Sequence, residues 1–222
     1  MIIKYKLNKL RDRVYHCTIE DRYDLAMTFC RVQEFYESPY KQIRGAYFTM
    51  LEFMSIYSKD RDGSFTYPID WGGFNVPGDI VSKLFTLFYP SDYNEYDATL
   101  EDIHYKIMDE TKSSNYYLIS SEGDDQEVIN HELCHALYKL ELSYKKEVTK
   151  ILKDLLSSTH TKLKQRLLDM GYTKKVVDDE IQAYLAENSE SLLDDVVVLS
   201  NEESDNLDIV SEKLHNNLSK WL

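Results

Sequence analysis

The second half of this 222-residue chain reads as helix almost throughout, and this restricts its fold more than any other feature. Apolar residues recur at helical spacing over 125–140, 143–156, 158–170 and 173–187. Gly171 stands where the third of these should stop, because glycine tolerates the left-handed conformation that ends many helices. A last helix is expected near 205–221, ending in Trp221. The chain has only 7 Gly and 4 Pro, which disfavours a loop-rich β sandwich.

The first half is mixed. Residues 2–7 and 13–20 alternate and read as short strands. A helix is expected over 21–37, with Asp21 as its cap and Pro39 as its stop, and another over 45–58. Residues 60–79 hold most of the glycine and half of the proline. They suggest a turn at 60–63, a strand near 64–69 and a loop ending at Pro77. A helix over 79–88 stops at Pro90, and another is expected near 99–111 after an acidic loop. "NYYLISS" (115–121) has a strand's composition. The expected fold class is therefore α+β, a small mixed sheet with a predominantly helical C-terminal half. No compositional break divides the chain, so a single domain over 1–222 is expected. Its α+β part runs to about residue 121 and its helical part from about 122.

The formal net charge of −13 repels phosphate backbones and makes nucleic acid a poor partner, while tolerating a bound divalent cation. Cys17, Cys30 and Cys134 are an odd number without paired spacing, so no disulfide framework is implied. The N-terminal residues lack the apolar core of a signal peptide, and no stretch approaches the length of a membrane span. A cytoplasmic location, in the protein's own cell or a host cell, is the resulting expectation, with no membrane partner. The oligomeric state is left open.

Residues 128–140, "VINHELCHALYKL", carry the chemistry. On a helix, residues four apart lie on one face, about 40° from eclipse. His131 and His135 can therefore bind one cation through their imidazole nitrogens. Glu132 sits beside the first histidine and can reach a water there without ligating the ion. Two neutral nitrogens suit Zn²⁺ and leave coordination positions open, and the ion lowers the pKa of water towards about 7. A carboxylate within hydrogen-bond reach can then act as general base and pass the proton to a leaving amine. The pattern His-Glu-x-x-His arises by chance in about one such chain in a hundred, so its context matters. Here it lies in a strongly helical window preceded by acidic capping residues at 124–125. The bland alternative is two ordinary histidines on an amphipathic helix.

Such a site needs a third protein ligand. The downstream candidates are Glu141, Glu147, His160, Asp178, Asp179, Glu180 and Glu187. In "VVDDEIQAYLAEN" (176–188), Glu180 can sit at the rim of an apolar helix face. Asp179 is its nearest rival, because helix phase read from sequence is uncertain by one residue. His160 would complete a three-histidine set.

The pairing of "HELCH" with "EIQAY" resembles the gluzincin group of zinc metallopeptidases, over about residues 115–188. The resemblance implies a zincin-like fold, a Zn²⁺ cofactor and a peptide or protein substrate. It implies His131, His135 and Glu180 as metal ligands and Glu132 as general base. It departs at Tyr184, which stands where the group commonly has the Asp that orients a ligating histidine. Asp178, Asp179 or a backbone carbonyl could fill that place. Tyr184 or Tyr138 could instead donate to a developing oxyanion, or could simply pack in the core. Cys134 is expected to be a small buried thiol. "NYYLISS" could be an edge strand that receives substrate or an interior strand. Residues 65–78 could shape a substrate surface or form a packed turn, and acidic residues 187–208 could be a solvated segment or could cover a cleft. A different class of function also fits: a non-catalytic interaction protein on a degenerate zincin scaffold.

Overall fold

The structure, a computed structural model, describes residues 2–187, 192–193 and 197–222. The chain forms two compact units, one up to Ile129 and one from Asn130 to Leu222. No helix among the described residues is long and apolar enough to cross a membrane.

The first unit is built on a four-stranded mixed sheet in the order β1-β2-β4-β3. β1 (Lys6–Arg11) and β2 (Val14–Ile19) form an antiparallel hairpin. It turns at Arg13, whose φ of 61° lies in the left-handed region. β2 then runs parallel to β4 (Tyr117–Glu122), and β3 (Gly73–Pro77) pairs antiparallel with β4. Every residue of β2 is buried, as a central strand covered on both faces requires. β1 is an edge strand and carries Lys6 and Lys9, charges that discourage pairing with another chain. "NYYLISS" contains the interior strand β4, paired on both sides. Of the two readings of this segment, the interior strand is the one formed, and the edge strand is not.

Five helices complete this unit: α1 (Arg22–Glu37), α2 (Met50–Lys59), α3 (Tyr67–Asp70), α4 (Gly78–Leu87) and α5 (Glu95–Thr111). Asp21 caps α1 by accepting from Asp24 N–H at 2.9 Å, as its position suggested. Two expectations fail between 60 and 79. Residues 64–69 do not form a strand, because Pro68 lies in the first turn of α3, where its fixed φ fits a helix. The strand lies at 73–77 instead, and Pro77 ends it where a missing N–H costs least. The first strand also begins later than expected, at Lys6. The aromatic residues of this stretch fill the core: Phe53, Tyr57, Phe65 and Tyr67 have ring centroids 5.1–6.1 Å apart, and Phe29 stacks on Phe74 at 5.7 Å. This supports the packed-turn reading of 65–78.

The second unit is helical. It holds most of α6 (Gln126–Leu140), then α7 (Leu142–Leu152), α8 (Ser157–Asp169), α9 (Val177–Glu187) and α10 (Asn201–Leu218). Its core contains Leu133, Leu137, Tyr144, Val148, Leu163, Leu167, Ile181, Leu185, Leu207, Val210 and Leu214. The stop after α8 falls at Gly171, with φ 101°. Tyr172 N–H donates to Leu167 O and Gly171 N–H to Leu168 O, the two bonds of a Schellman motif. That reversal sends Tyr172 back beside α9, 3.2 Å from the Tyr184 hydroxyl. α10 packs on α7, α8 and α9. His215 Nδ1 lies 3.0 Å from the Ala186 carbonyl near the end of α9, and Lys162 pairs with Glu203 at 2.7 Å. α10 begins at 201, earlier than expected, because Ser200 and Glu203 form a capping box. Part of the acidic segment 187–208, including the first two residues of "DVVVL", lies outside the described residues.

Candidate metal centre

α6 and α9 bring the expected ligands together within the second unit. His131 and His135 lie on one side of α6, with their Nε2 atoms 3.3 Å apart. Glu180, in the first turn of α9, places Oε2 3.8 Å from His131 Nε2 and 3.7 Å from His135 Nε2. A triangle with those sides has its circumcentre about 2.1 Å from each corner, and zinc bonds to imidazole nitrogen and carboxylate oxygen are about 2.0–2.2 Å. Of the described His, Cys, Asp and Glu residues, these three form the group whose ligating atoms lie within 4.8 Å of one another.

Two features fit a cation at this point. Glu180 Oε2 is buried and makes no hydrogen bond, a costly state for a carboxylate oxygen unless a positive charge faces it. Two imidazole lone pairs facing each other at 3.3 Å repel unless a proton or a cation lies between them. Without a metal, burial works against charging His135. The carboxylates of Glu180, Asp179 and Glu132 outweigh it and hold the imidazole's pKa well above its ordinary value. Three carboxylates, those of Glu132, Asp179 and Glu180, thus act on the His135 imidazole. The His131 side chain is 19% exposed, whereas those of His135 and Glu180 are 4% and 7% exposed. Solvent thus reaches the cluster from the His131 side.

Around the three ligands stand groups suited to support chemistry. Asp179 Oδ1 accepts from His135 Nδ1 at 3.1 Å, leaving Nε2 turned inward. The carboxylate on the Nδ1 side of His135 therefore comes from the residue before Glu180, rather than from one a turn later. Glu132 is buried beside the cluster, and its charge helps raise the pKa values of His135, Tyr172 and Tyr184. The Tyr184 ring lies edge-on to His131, with centroids 4.7 Å apart. Burial is the largest influence raising the Tyr184 pKa. The Tyr172 hydroxyl opposes it, and Glu180 and Glu132 add to it. The phenol therefore stays protonated and able to donate.

The rival ligands lie elsewhere. His160 Nε2 pairs with Asp178 Oδ1 at 3.1 Å on a more exposed surface. Glu141, Glu147 and Glu187 are outside the cluster. Tyr138 packs beneath Lys145, whose Nζ is 4.4 Å from the ring centroid. Cys134 is fully buried, and burial pushes its thiol pKa up to about 12. Sequence reasoning missed Tyr172, Gln182 and Tyr144. Gln182 left a faint signal, a long amide on the apolar side of "EIQAYLA". Tyr172 left none, because its placement depends on the reversal at Gly171.

Comparison of this chain with family models, curated proteins and solved structures returned no match.

Proposed function

We propose that the second unit is the zinc site of a zincin-like peptidase, with His131, His135 and Glu180 as ligands and Glu132 as general base. The observation that carries this reading is the His131–His135–Glu180 triangle, whose sides suit one zinc ion and whose buried carboxylate oxygen has no other partner. Asp179 supports it, because metal-binding imidazoles generally donate their second N–H to a carboxylate or carbonyl.

Zinc held there would polarise a scissile carbonyl and make water easier to deprotonate. The chain's own groups account for the rest. Glu132 takes a proton from the attacking water and gives it to the amide nitrogen as the C–N bond breaks, so the carboxylate is regenerated. The protonated Tyr184 phenol supplies a donor for charge building on the carbonyl oxygen. Asp179 fixes the plane of the His135 ring. The substrate is a peptide or protein, reached from the side where His131 is exposed. The three free cysteines, all buried, suit a reducing, cytoplasmic compartment.

Metal analysis and peptide hydrolysis together test this reading. Protein loaded with zinc and desalted should retain one equivalent. His131→Ala, His135→Ala and Glu180→Gln should each lose it. Glu132→Gln should keep the zinc and lose hydrolysis of a mixed peptide library by about 10²–10⁴-fold. Wild type that retains no zinc would overturn the proposal, as would a Glu132→Gln variant with full activity. Zinc retained without hydrolysis of any peptide would favour the non-catalytic interaction protein.

A further inference from the structure

Behind His135 the polar side chains form a chain that reaches away from the ligand cluster. Asp179 Oδ1 accepts from His135 Nδ1 at 3.1 Å, and Gln182 Nε2 donates to the same oxygen at 3.1 Å. Tyr144 OH donates to Gln182 Oε1 at 2.9 Å. Gln182 is fully buried and Tyr144 is 1% exposed, whereas the Asp179 side chain is 26% exposed.

The chemistry of these groups leaves one direction of donation. Asp179 Oδ1 accepts from both His135 Nδ1 and Gln182 Nε2, so the NH₂ end of Gln182 faces it. The Gln182 carbonyl then faces Tyr144, whose hydroxyl must donate. Burial, with Cys134 and Asp179 nearby, drives the Tyr144 pKa far above its ordinary value, so the donor proton is always present. At the other end, Asp179 selects the His135 tautomer with hydrogen on Nδ1. The lone pair on Nε2 is then directed towards His131 and Glu180. With the opposite tautomer, a hydrogen would occupy the centre of the triangle.

A half-exposed aspartate in the first turn of a helix does not hold one rotamer unaided, because water competes for its oxygens. Gln182 lies three residues later on the same helix, on the same side. Its amide is buried, so any break in the chain leaves a polar group unsatisfied in the core. We infer that Gln182 and Tyr144 are positioning residues for the metal centre: through Asp179 they fix the tautomer and ring plane of His135. This inference rests on the proposal that His131, His135 and Glu180 hold a metal.

The test measures metal affinity. Zinc affinity would be determined by competition with a chromophoric chelator, and the cobalt-substituted protein would be recorded by visible absorption. Circular dichroism and a melt of the metal-free protein would monitor folding. Tyr144→Phe removes one hydroxyl without changing shape, and Gln182→Leu removes the amide. Each should bind zinc about 10–100-fold more weakly, the range typical for lost support behind a ligand, and should shift the cobalt bands. Gln182→Glu, which sets a carboxylate against Asp179, should weaken binding at least as much. The metal-free fold of Tyr144→Phe should match wild type. Wild-type affinity in folded Tyr144→Phe and Gln182→Leu would overturn the inference while leaving the metal site intact. Failure of wild type itself to bind zinc would instead overturn the underlying proposal, and this inference with it.

Discussion

Glu34 provides a quantitative test of the first unit. It lies on α1 and is 7% exposed in the core. Burial is the dominant influence and raises its pKa from 4.5 to about 7. The nearby hydroxyls of Ser38 and Tyr67 and the charge of Arg61 offset only part of that effect. Between those two pH values the folded protein holds a proton that the unfolded chain has released. The associated stability is therefore fully present below about pH 4.5 and is lost as pH rises through about 7. The full change corresponds to roughly 3 kcal/mol, a large fraction of a small unit's stability. Glu34→Gln keeps the shape and cannot ionise, so its stability relative to wild type should rise by about that amount between pH 4 and pH 8. Urea unfolding at 25 °C, followed by Trp71 fluorescence in a Trp221→Phe background, would report on this unit. Trp71 sits 6.3 Å from Tyr67, the ring beside Glu34. If the wild-type and Glu34→Gln stabilities keep a constant difference across that range, the buried-carboxyl argument is wrong.

Three further outcomes are expected. Gly78→Ala should destabilise the protein by about 1–3 kcal/mol in thermal melts, because a Cβ there would overlap the buried Tyr116 ring, which is held to His104 by a 2.6 Å hydrogen bond. A melt as stable as wild type would mean the ring has room to move. His160→Ala should leave the zinc stoichiometry unchanged, since its partner is Asp178. Loss of zinc in that variant would return His160 to the ligand set. Ser200→Ala should cost about 1 kcal/mol through loss of the α10 cap, in which Glu203 N–H donates to Ser200 Oγ at 3.3 Å.

The helical half, and the face shared by the two histidines, were legible from residue spacing, whereas the choice of Glu180 over Asp179 also leaned on the resemblance. A period of 3.6 puts His131 and His135 on one face, and the apolar pattern of 176–188 turns Glu180 inward. Helix starts were harder. Asn94 and Ser200 begin α5 and α10 through capping boxes closed by Asp97 and Glu203, but these stand in acidic stretches that resemble loops. Between 64 and 77, local composition misled. Phe65 and Tyr67 suggest a strand, yet they serve the core from the region of a short helix, while the real strand opens on glycine and ends in proline. The supports behind His135 depend on side chains from separate helices meeting in three dimensions. The sequence offered Asp179 both as a competitor of its neighbour and as one of several groups that could orient a histidine, and it did not show Tyr144 in this role at all.

The last described helix has a consequence for how the protein is made. Glu180 emerges from the ribosome before the helix that packs against its own, so the three residues proposed as ligands exist in a nascent chain that still lacks that packing. Under the proposed function, stable zinc binding should therefore await completion of residues 201–218, and chains truncated before that point should retain less zinc than the full chain.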